Sequence, residues 1–172
     1  MKSATIFLMG GFLTAASLGY AQSQPINPTL FSSEAERCIV PASQFHGVNA
    51  FILRAILRVE SGLKPGAIGK NGNGTVDVGI GQMNSMHFPA LAKFGVGPEQ
   101  LKNACIGTYV AAWHLKKGIA AHGNTWEAIA RYHSGTPYFN NRYQILVSNE
   151  LIRSNVLNGV IQAVPSLIKS SK

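Results

Sequence analysis

Four short stretches of this 172-residue chain carry residue types that chemistry uses: Glu60-Ser61-Gly62, Asp77-Val78-Gly79-Ile80-Gly81-Gln82-Met83-Asn84, Tyr132-His133-Ser134-Gly135 and Asn141-Arg142-Tyr143. The first is the most pointed. At 100° per residue, Glu60 falls on the same helix face as Leu53, Ile56 and Leu57, while Arg54 and Arg58 fall on the far side. A lone carboxylate therefore ends the apolar face of a helix. Burial and the negative end of the helix dipole both disfavour its charged form and push its pKa up from about 4.3. A carboxyl poised nearer neutrality suits general acid catalysis. The competing reading is a Glu that reaches past the helix end into water, and position alone leaves both open. The other stretches are each weak alone: a Gly-x-Gly before a polar residue is usually a turn, and a Tyr-His pair at a helix end usually packs.

The supply of other reactive groups is thin. There are only 7 acidic residues. Glu34 and Glu36 are read as lying ahead of the first helix proper, and Glu99, Glu127 and Glu150 in cap or helix-surface positions. Asp77 is then the one candidate for a second carboxylate, and its place beside glycines fits a residue that fixes a loop by turn hydrogen bonds. His46, His87, His114, His122 and His133 are scattered with no H-x-x-x-H spacing, and no C-x-x-C occurs, so neither a metal site nor a cofactor is expected.

The elements that must position these groups are mostly helical. A first helix is expected from about Ser33 to Gln44, with Pro41 inside it and Gly47 as the break. Asn49 caps the helix that runs to Glu60. Pro65 and the glycines Gly66, Gly69, Gly72 and Gly74 dictate loops or tight turns, and Thr75 to Val78 has the character of a small hairpin arm. A short helix is expected over Ser85 to Lys93 and another from Pro98. The spacing of Ile106, Tyr109, Val110, Trp113 and Ile119 predicts a helix from Cys105 to Ala121. Asn124-Thr125-Trp126-Glu127 has the form of a capping box with Asn124 as the cap, opening a helix through Tyr132. One or two terminal helices are expected between Asn140 and Ile168, limited by Pro165. The fold class is mainly α, with a small loop and β-hairpin insert after the Glu60 helix.

Residues 1–21 read as a secretory signal peptide: Lys2, an apolar run from Ile6 to Leu18, and a small-x-small site at Gly19-Tyr20-Ala21. The alternative is an uncleaved N-terminal anchor. Cleavage leaves a domain over 22–153 and a C-terminal tail or helix over 154–172, periplasmic or secreted, with no stable membrane span. The chain carries a net charge of +8, one of which goes with Lys2. An exported basic protein suits anionic partners such as cell-wall polymers, and neither a dense Lys/Arg run nor a nucleic-acid motif is present. Cys38 and Cys105, in a chain bound for an oxidising compartment, imply one disulfide; two buried thiols are the alternative.

In order and spacing together, the four stretches resemble the lysozyme-like lytic transglycosylases, whose catalytic domain is related to goose-type lysozyme. The likeness is nearest to the small exported members associated with secretion, conjugation and pilus systems. It covers roughly Glu36 to Gln144. Glu60-Ser61-Gly62 matches the catalytic Glu-Ser motif, and the run from Asn71 to Gly79 matches the Asn/Gly-rich segment after it. Gly79 to Asn84 matches the Gly-x-x-Gln stretch of the glycan groove. Ala130 to Gly135 matches the region that commonly reads Ala-Tyr-Asn-x-Gly, and Tyr143 a later groove tyrosine. The cysteine pair falls where small exported members carry theirs. Two departures stand out: His133 replaces the commoner Asn, and Arg131 the Ala before the Tyr.

The resemblance implies a peptidoglycan substrate and a single catalytic residue. Glu60 would protonate the bond between N-acetylmuramic acid and N-acetylglucosamine, then accept the proton of the muramyl C6 hydroxyl as it closes onto C1. Ser61 would bond a substrate amide or orient Glu60, and Gln82 would contact sugar groups. Met83 would give an apolar wall, Tyr132 would bond Glu60 or the sugar, Tyr143 would line the groove, and His133 would sit at its rim. The rivals are a lysozyme that uses Asp77 and water, and a non-catalytic module that binds cell wall or a component of a secretion, conjugation or pilus machine.

Overall fold

The structure is a computed structural model that describes residues 33–166; the expected signal peptide and the stretch beyond 166 lie outside the described residues. The first helix, α1 (Glu34–His46), opens on Ser33, whose hydroxyl accepts from the Glu36 amide, and closes on Gly47 in the left-handed region. Glu34 and Glu36 lie in its first turn rather than ahead of it, where carboxylates complement the helix dipole. Pro41 is tolerated inside the helix, and Ala35, Cys38, Ile39 and Ala42 form its buried side.

Asn49 starts α2 (Ala50–Ser61), its side chain accepting from the Phe51 and Ile52 amides, and Gly62 ends it with φ 64°. The apolar residues of α2 face two ways. Leu53 and Leu57 pack with Ile39, Ile80 and Ala111, whereas Ala55 and Ile56 pack with Leu115, Ile129 and Val147. Its solvent side is tied down as well: Arg54 grips both oxygens of Glu36 through Nε at 2.9 Å, and Arg58 reaches Glu36 at 3.5 Å and Glu150 at 3.6 Å. The helix that carries Glu60 is thus held by two core clusters and by ion pairs on its solvent side.

The insert after α2 is a three-stranded antiparallel sheet in the order β1 (Ile68–Lys70), β2 (Val76–Val78), β3 (Met83–Asn84). Gly79 bends the chain between β2 and β3 with φ 83°, and a Cβ there would lie 2.1 Å from the Leu101 carbonyl oxygen. Only glycine fits so close an approach. A 3₁₀ turn over Ser85–His87 leads into α3 (Phe88–Ala92), splitting the single helix expected there. The short α4 (Pro98–Leu101) follows.

α5 (Ala104–His122) is the central helix, capped by Asn103. Its element was legible, but its buried face was not. The inward residues are mainly small ones, Ala104, Gly107, Thr108, Ala111 and Ala112 with Val110 and Leu115, while Ile106 is 37% exposed. Small side chains let α1 and the β3 turn approach closely, and the Cys38–Cys105 disulfide joins α1 to α5. In α6 (Trp126–Ala130) the cap is Thr125, whose hydroxyl accepts from the Ala128 amide, rather than Asn124. The helix ends at Ala130, two residues short of Tyr132. A single terminal helix, α7 (Pro137–Arg153), completes the fold. After it the chain forms no helix as far as residue 166. It doubles back along α7: Asn149 exchanges hydrogen bonds with the Gln162 backbone, Arg142 donates to the Pro165 carbonyl at 3.0 Å, and the Tyr138 hydroxyl donates to the Ser166 carbonyl. A largely helical body with a small sheet beside the acid-bearing helix is a lysozyme-like arrangement. No helix among the described residues is long and apolar enough to cross a membrane.

Candidate active site

Glu60 sits in the last turn of α2 and lines an open cleft of about 590 Å³. Its carboxyl is largely buried, and burial is the main cause that raises its pKa to about 7. The nearby charge of Asp77 adds to the rise, and a hydrogen bond from the Tyr143 hydroxyl opposes it. That bond is short, 2.5 Å to Oε1, and joins residues 83 positions apart. It engages one carboxyl oxygen and leaves Oε2 as the place for a transferable proton. At about 7, both protonation states of Glu60 are well populated near neutral pH, the condition for a group that gives and takes a proton in one cycle.

Asp77 is the second carboxylate of the cleft. It stands on β2, paired in register with Asn84 of β3. Asn84 Nδ2 donates to its Oδ1 at 2.7 Å, and Asn71 Nδ2 donates to its Oδ2 at 2.8 Å. Both amides also reach the Thr75 hydroxyl at 3.0 Å. The carboxylate is therefore the hub that fastens the Asn/Gly-rich loop to the sheet.

The residues expected to surround Glu60 are brought together, with several tasks redistributed. Ser61 is spent on the fold: its hydroxyl donates to the Ile80 carbonyl at 2.7 Å and accepts from the Lys64 amide at 3.1 Å. It neither bonds Glu60 nor lines the cleft. Gln82 lines the cleft in a left-handed conformation, φ 47°, costly for a residue with a side chain. Its amide donates to the Ala67 and Gly79 carbonyls at 3.2 and 2.9 Å, so its Oε1 is what remains to meet a ligand. Met83 is 3% exposed and forms part of the cleft wall.

Of the two tyrosines, Tyr143 is the one that reaches Glu60. Tyr132 lines the cleft, but its hydroxyl donates to the Gly81 carbonyl at 2.7 Å and not to Glu60. Burial and the Glu60 charge hold it well above the usual tyrosine range, so it remains a neutral phenol. Tyr143, expected in the groove, is 2% exposed and holds Glu60 from behind. His133 lines the cleft and stacks flat on Tyr143, with ring centroids 5.0 Å apart and an interplanar angle of 4°.

Sequence reasoning missed His87 and His114, which also line the cleft with their rings 4.8 Å apart. Burial drives the pKa of His114 down to about 4, so it is neutral, and its Nε2 faces the Tyr132 carbonyl at 3.3 Å. A histidine on a long helix gives no local sign of that contact. No lysine or arginine is among the described residues lining the cleft, although the chain is strongly basic.

A helical domain that presents one buried, near-neutral carboxyl at a helix end, in an open cleft walled by a small sheet, defines a lysozyme-like glycan-cleaving domain. Comparison of the sequence with known families makes the assignment specific: residues 37–146 match the Transglycosylase SLT domain, and the chain belongs to that family. Among curated relatives, it is 38% identical over 100 residues to the Invasion protein IagB of Salmonella typhimurium, a match covering 58% of this chain and 62% of that one. It is 33% identical over 100 residues to Protein IpgF of Shigella flexneri, covering 58% and 66%. The X polypeptide of Escherichia coli is 34% identical over 103 residues, covering 59% and 61%. The match thus spans about three-fifths to two-thirds of each relative's length.

Proposed function

We propose that this protein is a peptidoglycan lytic transglycosylase that cleaves the β-1,4 bond between N-acetylmuramic acid and N-acetylglucosamine. The observation that carries the reading is Glu60: one carboxyl, raised to about 7 and lining the cleft of a chain of the SLT family. Glu60 donates its proton to the glycosidic oxygen as the bond from C1 breaks, and the N-acetylglucosamine end leaves as an alcohol. The positive charge that develops at C1 is met by the substrate's own acetamido oxygen. The Glu60 carboxylate then takes the proton of the muramyl C6 hydroxyl while O6 bonds to C1. The product is a 1,6-anhydromuramyl end, no water is consumed, and Glu60 regains its proton.

The cleft supports this assignment. A sugar polymer needs hydrogen-bonding groups and apolar walls rather than fixed cations, and the lining supplies Asn73, Gln82 and Asn84 with Met83 and Met86. A phosphate-rich ligand would face Glu60 and Asp77 with no lysine or arginine among the described residues that line the cleft. Gln82 and Tyr132 are assigned to the sugar near the bond cleaved, Met83 and His133 to the groove wall, Ser61 to the carbonyl that fixes the Ile80 turn, and Tyr143 to Glu60.

The working organisation is that of an exported enzyme. Residues 1–21 direct export to the periplasm or beyond, 22–153 form the catalytic domain and 154–172 a tail. The resemblance to small exported members, and a relative named an invasion protein, support local opening of the cell wall for a secretion, conjugation or pilus apparatus. The direct test is Glu60→Gln on purified sacculi: release of soluble muropeptides is expected to fall by at least about 10³-fold with folding intact. Binding to sacculi without release by the unaltered protein would instead identify a wall-binding module.

One observation favours a second reading. Asp77 lines the same cleft and acts electrostatically on Glu60, so a lysozyme-type hydrolysis with Asp77 as the second carboxylate is the alternative. Under the transglycosylase reading, Asp77→Asn keeps a substantial share of the activity, because Asp77 takes part in no proton transfer and the new side-chain carbonyl still accepts from one of the two amide partners, Asn84 or Asn71. Under the hydrolase reading, it loses nearly all of it.

A further inference from the structure

We infer that His133 is a positioning residue for the acid: its ring lies on Tyr143, holds that phenol in register with Glu60, and closes the water path to their hydrogen bond. The inference rests on Glu60 as the proton donor. Tyr143 is 2% exposed and does not line the cleft, whereas His133 does, so the imidazole occupies the side of the phenol nearest the cleft. The two rings are almost parallel, 4° apart in plane and 5.0 Å between centroids, which is a packed stack rather than a chance approach.

The backbone holds the stack in register. The turn bearing His133 hangs from the end of α6, with the His133 and Ser134 amides donating to the Ala130 carbonyl at 3.1 and 3.2 Å. Asn140, 3% exposed on α7, donates to the Ser134 carbonyl at 2.9 Å and the Glu127 carbonyl at 3.0 Å. Asn140 precedes Tyr143 by three residues, less than one helical turn. The segment carrying His133 is therefore fastened to the helix carrying Tyr143 immediately beside the stacked pair.

The charged groups that act on His133 are Arg142 on α7 and Asp77 on β2. Burial, then Arg142, keep the imidazole below its usual 6.5, which favours the neutral ring. A neutral planar ring packs on Tyr143 without placing a cation beside Glu60, which would favour the carboxylate and remove the acid. Where the family commonly carries Asn, this chain carries a flat surface.

The test compares the full chain with its Glu60→Gln, His133→Ala, His133→Ser, His133→Phe and Tyr143→Phe variants, following muropeptide release against pH and the Glu carboxyl titration by carbon NMR. Activity needs protonated Glu60 and so falls as pH rises through its pKa. His133→Ala and His133→Ser are expected to lower kcat roughly tenfold and to change KM by less than kcat, since misplacement of a catalytic group costs rate before binding. Both admit water to Glu60, and because burial is the main cause of its raised pKa, the alkaline limb moves to lower pH. Tyr143→Phe removes a bond that favours the carboxylate, so its limb moves to higher pH. His133→Phe, a flat ring without charge, restores both rate and profile. Wild-type rate and profile in His133→Ala, or a His133→Phe enzyme as impaired as His133→Ala, would overturn the inference if Glu60→Gln is inactive. Should one truncated variant fail to fold, the other and His133→Phe decide it. Turnover by Glu60→Gln would instead overturn the assignment of the acid.

Discussion

Glu60 keeps its proton in the folded protein up to about pH 7, against an ordinary value of 4.5. A folded pKa raised above the unfolded one contributes stability that is complete below the unfolded value and lost as pH rises through the folded value, here between about 4.5 and about 7. Glu60→Gln removes the buried charge, so it is expected to stabilise the protein by on the order of 2–3 kcal/mol at pH 8 and by little at pH 4. Urea denaturation of both proteins at the two pH values checks this; equal stability at pH 8 would show that Glu60 is solvated. The position of Glu60 was legible because Leu53, Ile56 and Leu57 lie within two turns of it and mark the face. Its partner was not. Tyr143 lies 83 positions away, and nothing local distinguishes it from Tyr132, so which phenol reaches the acid is decided by how α7 crosses α2. The bond of Ser61 was hidden for a related reason: the Ile80 carbonyl to which it donates is 19 residues off.

At the scale of elements, α2 and the turn before β3 fix the floor of the cleft. Leu57 is fully buried beneath Glu60 on the same helix face, and Leu57→Ala is expected to cost about 2–5 kcal/mol by cavity formation. Gly81 is a sharper constraint. A Cβ there would lie 2.7 Å from the Tyr132 hydroxyl oxygen and 2.8 Å from the Ala111 Cβ. Gly81→Ala therefore forces Tyr132 out of its bond to the Gly81 carbonyl, at a cost of about 1–3 kcal/mol and with weakened substrate binding. A thermal melt and a KM measurement check the two effects, and an unchanged Tyr132 position in a crystal of the variant would contradict the account. Helices with apolar residues at three- and four-residue spacing and an Asn or Ser cap, such as α1 and α2, were readable from sequence. The inner face of α5 was not, because its apolar residues go nearly all the way round and close packing selects the smallest ones. The cap of α6 moved from Asn124 to Thr125, a shift within the freedom of a stretch where both residues can cap.

For the whole molecule, the Cys38–Cys105 disulfide closes a span of 67 residues between α1 and α5. On the chain-entropy account its reduction costs about 4 kcal/mol, measurable as a lower denaturation midpoint in reductant, with the reduced protein expected to fold and retain Glu60 chemistry under mild conditions. The helical class and the order of the site motifs were readable over residues 34–144, where periodicity, caps and glycine turns agree. The segment after α7 was not, since its course depends on side chains such as Asn149 and Arg142 catching its backbone rather than on any periodic pattern. For the molecule acting on a glycan, we propose that Glu60 alone performs both proton transfers and that the muramyl C6 hydroxyl, not water, attacks C1. Mass spectrometry of muropeptides released from sacculi in water enriched in ¹⁸O tests it most directly. 1,6-Anhydromuramyl ends that carry no ¹⁸O are expected; reducing muramic ends labelled at C1 would show instead that water attacks and that the enzyme is a hydrolase.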